Sequence, residues 1–121
     1  MMRRPLVLAV LFAAVSSSAC LVGGACSTQL VFSVSIEVVD TGGTPVRDAV
    51  VTFTVDGGAT QPATCDLPVE GGGCTRWHAG EERAGQFVVR AQRGNLAATA
   101  STVIADGECH VQARSVRLVV R

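Results

Sequence analysis

The chain of 121 residues contains no tyrosine, no lysine and a single tryptophan. With every cation an arginine and no basic block anywhere, it lacks the clustered positive charge that a phosphate backbone requires, so nucleic acid is not an expected partner. Formal charge balances, 10 basic against 10 acidic residues. No apolar run approaches the ~20 residues of a membrane-spanning helix; the longest extends from Leu6 to Val15. Gly-x-Ser-x-Gly is absent, so no nucleophile elbow is visible. Cys-x-x-C is absent as well, which removes the commonest zinc-knuckle and redox signatures. Beyond the N-terminal segment no stretch repeats apolar residues at helical spacing over three turns, so almost no helix is expected.

What is present begins with an export signal. Arg3 and Arg4 precede the uncharged Leu6 to Val15 run, and Ser16-Ser17-Ser18-Ala19 leads into Cys20, the order of n-region, h-region and small-residue cleavage site. The segment resembles a bacterial lipobox with Ser17 where that motif prefers leucine, which implies a lipid-anchored Cys20. An ordinary signal cut after Ala19 is the alternative. Parity favours lipidation: five cysteines leave one unpaired in an oxidising compartment, and acylating Cys20 leaves Cys26, Cys65, Cys74 and Cys109. The expected organisation is a signal peptide over 1–19, a lipid-anchored tether over 20–29 and one domain over 30–121. The expected location is the cell envelope, anchored to a membrane.

That domain reads as strands. In Phe32-Ser33-Val34-Ser35-Ile36-Glu37-Val38 the apolar residues fall on even positions, the signature of a half-buried strand. Val51, Phe53 and Val55 share one face of a second run, and Asp40-Thr41-Gly42-Gly43-Thr44-Pro45 supplies the turn between the two. Residues 57–80, rich in Gly, Pro and Thr, read as a long loop with a short hairpin. Phe87, Val89 and Ala91 mark a further strand, followed by a turn near Arg93-Gly94-Asn95 and a strand over about Ala97 to Ile104. In the last segment Val111 and Ala113 occupy one parity and Val116, Leu118 and Val120 the other, which predicts a β-bulge near Ser115. About seven short strands in roughly a hundred residues predict an all-β fold, a single antiparallel two-sheet sandwich of transthyretin-like or immunoglobulin-like type.

Four cysteines allow three connectivities. Cys65 with Cys74 would close a ten-residue loop around the Gly-rich segment, and Cys26 with Cys109 would join the approaches to the first and last strands. On the chain-entropy model these are worth about 3 and about 4.5 kcal/mol. The rival is a zinc site made from Cys65, Cys74, His78 and His110, although their spacing matches no finger pattern.

Val38-Val39-Asp40-Thr41-Gly42-Gly43-Thr44-Pro45-Val46-Arg47-Asp48-Ala49-Val50-Val51 and Gly85-Gln86-Phe87-Val88-Val89, with Gly94 following, resemble bacterial lipoproteins with a carboxypeptidase regulatory-like domain, the transthyretin-like or prealbumin-like sandwich. The resemblance covers roughly residues 30 to 105. It departs at Ala79-Gly80-Glu81-Glu82-Arg83-Ala84-Gly85, where the family places Thr-Asp-x-x-Gly. It implies a structural or interaction module and supplies no catalytic residue.

Trp77 and His78, with Glu81 and Glu82 close by, are the candidate recognition residues: either a carbohydrate platform or, more plainly, an indole capping the core beside a solvated histidine. In an extended strand Glu81 and Glu82 would face opposite ways and could not share a proton. His110, near Asp106 and Glu108, could serve a hydrolase together with a serine, but with no elbow or oxyanion turn in view it reads more plainly as a strand-end histidine paired with a surface carboxylate. No catalytic residue, metal or cofactor is assigned. The expected function is a non-enzymatic, lipid-anchored envelope protein that displays its sandwich for structural contact or protein recognition, its partner an unidentified protein or polysaccharide; the alternatives are a carbohydrate-binding module using the loop around Trp77 and a small zinc-binding protein or enzyme.

Overall fold

A computed structural model describes residues 26–121; the signal segment, Cys20 and the start of the tether lie outside the described residues. Eight strands follow one another: β1 (Phe32–Val39), β2 (Val50–Val55), β3 (Gln61–Pro62), β4 (Thr64–Cys65), β5 (Trp77–Glu81), β6 (Gly85–Arg93), β7 (Leu96–Ile104) and β8 (Arg114–Val119). No helix occurs among the described residues. The strands form two four-stranded sheets, ordered β4-β5-β1-β8 and β3-β2-β6-β7. Their apolar faces share one core, in which Val34, Ile36, Val38, Trp77 and Leu118 of the first sheet meet Phe53, Phe87, Val89 and Ala91 of the second. This is the all-β two-sheet sandwich that alternation predicts.

Where alternation is strict, the elements follow it. Val51, Phe53 and Val55 are buried along β2, and Phe87, Val89 and Ala91 along β6. The β6–β7 hairpin closes on the pair Arg93 and Leu96. Gly94, at φ 57°, occupies the first central position of its two-residue loop, which a type II′ turn reserves for glycine.

Four features differ from the sequence reading. Residues 57–80 are not all loop, because Trp77–Glu81 forms β5 and pairs with β1; its Ala and Gly conceal the strand from a propensity reading. β1 and β8 run parallel, with Val34 to Val39 opposite Arg114 to Val119, so the sheets are not purely antiparallel. The expected bulge near Ser115 is absent, since β8 pairs residue for residue with β1. The change of phase falls instead where the 105–113 connection, with its Asp106 and Val111 bridge, meets the strand. Finally, the inward face of β1 switches parity at its start: Ser33 and Val34 are both fully buried, and Val31 packs on the core. Phe32 is thereby turned out of the core and stacks on the His78 ring, the centroids 3.7 Å apart. Gly80, opposite this switch, has φ 75°, and any Cβ there would press to 2.8 Å from the Phe87 ring.

Candidate functional site

Strand direction decides which side chains meet. Because β1 and β8 are parallel, the segments leading into both enter at the same pole of the sandwich. β5 is antiparallel to β1, so its end arrives there too. Three chain segments far apart in sequence thus converge at one end of the sheet. The lead-in to β1 carries Cys26 and Ser27, Glu82 directly follows β5, and the lead-in to β8 carries Cys109 and His110. Cys26 and Cys109 are joined by a disulfide across this junction, Cα atoms 5.2 Å apart.

The side chains at that pole form a continuous relay. Ser27 Oγ lies 3.3 Å from His110 Nε2, and His110 Nδ1 is hydrogen-bonded to Glu82 Oε1. With Nδ1–H given to the carboxylate, Nε2 is left as an acceptor and the Ser27 hydroxyl donates to it. Glu82 also accepts the Val31 N–H at 2.9 Å and the Val111 N–H at 3.4 Å. Burial pushes the Glu82 carboxyl up, but the His110 hydrogen bond, the two backbone donors and the His110 charge outweigh it and hold the carboxyl below its ordinary value. Glu82 sits at φ 49°, a left-handed conformation that costs a non-glycine residue about 1 kcal/mol or more and tends to mark functional positions. A cleft of about 440 Å³ opens beside the relay, bordered by Thr28, Gln29, Leu30, Asp106 and Gly107.

A second histidine is paired separately. His78 Nδ1 bonds Asp66 Oδ1, and Glu81 Oε1 stands 3.7 Å from His78 Nε2. Glu81 and Glu82 therefore serve different histidines. His78 is 7% exposed and Trp77 6%, the latter within the core, so neither ring offers the open face that a sugar platform uses. Cys65 and Cys74 are bonded to each other, and among the described residues no three His, Cys, Asp or Glu side chains converge as a metal site. His110 pairs with Glu82 rather than with the expected Asp106 or Glu108. Ser27 and Glu82 escaped the sequence reading as partners of His110 because 55 and 28 residues separate the relay's members, from 27 to 82 and from 82 to 110, and Asp66 because it meets His78 only across the β4–β5 pairing.

The open edge of the second sheet is the other notable surface. β7 ends its sheet, and the Ala97 N–H and C=O exchange bonds with Arg121, away from β6. Thr99, Ser101 and Val103 share the parity of Ala97, so their backbone groups also point outward. The strand Leu96–Ile104 carries neither charge nor proline. The other edges are guarded in the usual ways: β3 and β4 are two residues long, β3 contains Pro62, and β8 carries Arg114 and Arg117.

The two disulfides suit an oxidising, extracellular-type environment, and among the described residues no helix is long and apolar enough to cross a membrane. No protein-family model, curated protein or solved structure matches the chain.

Proposed function

We propose that this is a lipid-anchored envelope protein that displays its sandwich for protein recognition and receives an extended segment of a partner along β7. The observation that carries the reading is the edge of β7, nine residues without charge or proline, which among the described residues is open beyond the Ala97 pairing with Arg121. A strand added there gains main-chain hydrogen bonds from Thr99 to Val103, with alternate side chains setting specificity. Between β7 and β8 a groove of about 350 Å³, floored by Ala98, Ala100 and Leu118, leaves room for small inward side chains. Anchorage through Cys20 is supported by the signal pattern and by the pairing of the other four cysteines. Several acyl chains hold such a domain far more durably than one.

Two measurements test this reading. A photo-crosslinking residue at Val103 yields a defined protein adduct in intact cells, while the same residue at Arg90, in the middle of the sheet, does not. Ser101→Pro, which removes an outward N–H that β6 does not use, abolishes the adduct. Equal adducts from both positions, or none from Val103, reject edge recognition. Intact mass of the membrane-extracted protein shows an acylated Cys20, and an unmodified Cys20 rejects the anchor.

A further inference from the structure

We infer that Ser27 is an activated nucleophile, and that the Ser27–His110–Glu82 relay cleaves neutral carboxylic esters in the cleft beside it. This goes beyond display and stands on separate residues. The order of contacts matches the roles: a hydroxyl on Nε2, a carboxylate on Nδ1, and a cleft lined by His110, Glu82 and Thr28, the residue that follows Ser27. Triads of this kind are recognised by such geometry rather than by sequence order or fold. Each member is also held in place. Ser27 follows a cysteine bonded to the residue before His110, and its Oγ accepts the Gln29 N–H at 3.3 Å. His110 closes a tight turn in which the Gly107 N–H bonds the His110 carbonyl at 2.9 Å. A Cβ at Gly107 would collide with that same carbonyl, so the turn that aims the imidazole requires glycine. Glu82 is the positioning residue, fixed by two backbone donors.

The chemistry balances as a hydrolysis. Ser27 Oγ bonds to the ester carbonyl carbon while its proton passes to His110 Nε2. The carbon–oxygen bond to the alcohol breaks, and the departing oxygen takes that proton. Water then gives a proton to Nε2 and adds to the acyl carbon. The bond to Ser27 breaks, Oγ recovers the proton, and a carboxylic acid leaves. Throughout, Glu82 accepts the Nδ1–H and stabilises the imidazolium. The cleft sets the substrate class: with Asp106 and Glu82 on its border and no arginine among its described lining residues, it disfavours phosphate and carboxylate esters and leaves neutral ones.

The test uses the full chain, oxidised, with p-nitrophenyl acetate and a fluorophosphonate probe. The probe adds to Ser27, located by peptide mass, and ester cleavage falls at least about 100-fold in Ser27→Ala and in His110→Gln. Ser27 is exposed, so its alanine variant folds and isolates the chemistry. Glu82→Gln lowers the rate and alters its pH profile, which a merely structural loss would not do. Reduction of Cys26–Cys109 abolishes labelling. Absence of a Ser27 adduct overturns the inference, as does cleavage that persists in Ser27→Ala and disappears only in His110→Gln, because the imidazole would then act alone.

Discussion

Glu82 concentrates several constraints in one residue. Its left-handed backbone is costly in isolation and is held by a carboxylate that binds His110 and the N–H groups of Val31 and Val111. The folded carboxyl therefore ionises below its ordinary value of 4.5. A depressed folded value means that the ionised group contributes stability above the unfolded value and loses it as the pH falls through the folded one. The stability difference between the wild type and Glu82→Gln is accordingly expected to be full at neutral pH and to shrink once the pH drops below the ordinary glutamate range. Urea unfolding of both proteins across that range measures it, and a difference that stays constant with pH would refute it. None of this is legible in Glu81-Glu82 as a sequence. Strand alternation separates the two carboxylates, but only the direction of β5 reveals which histidine each one meets.

At the level of elements, legibility tracks periodicity. β2 and β6 announce themselves because a sheet with one buried face forces strict alternation, and Phe53, Phe87 and Val89 lie in the core accordingly; β1 does so from Val34 to Val38. β5 is silent, because Trp-His-Ala-Gly-Glu carries two poor strand formers. Its place is set by tertiary pairing with β1 on one side and β4 on the other. The outward turn of Phe32 is equally invisible, since it depends on Gly80 across the ladder. The Cys65–Cys74 disulfide joins β4 to the approach to β5, with Cys74 itself buried. It thus ties down an edge strand of two residues, beside the Asp66 bonds to His78 and to the Arg76 carbonyl. Replacing both cysteines by alanine is expected to cost about 2–3 kcal/mol and to release first the amides of 64–66, as hydrogen exchange would show. If those amides retained the protection of β1, the disulfide would not be what holds β4.

For the molecule as a whole, the parallel pairing of β1 with β8 is the decision from which most else follows. It gathers both cysteine-bearing lead-ins, both members of the Ser27–His110 contact and the Glu82 corner at a single pole, while Arg121 leaves from the other. Parallel partners far apart in sequence leave no local trace, which is why the sandwich could be read and the relay could not. The same pairing settles how the domain carries mechanical load. A pull between the tether and the C-terminal end of β8 enters at Cys26, crosses to Cys109 and runs along β8 to Arg121, so residues 27–108 lie outside the force path. Stretched in its oxidised form, the domain should lengthen by no more than the slack in a dozen or so residues, about 3.3–3.6 Å each at full extension. After reduction, tens of nanometres of chain, roughly ninety residues on the same scale, should become extensible. Single-molecule stretching with and without reductant reads that difference directly, and equal extensions would mean that the disulfide does not bear the load. A domain wired in this way is a nearly inextensible link in which tension falls on β8 and spares the seven strands before it.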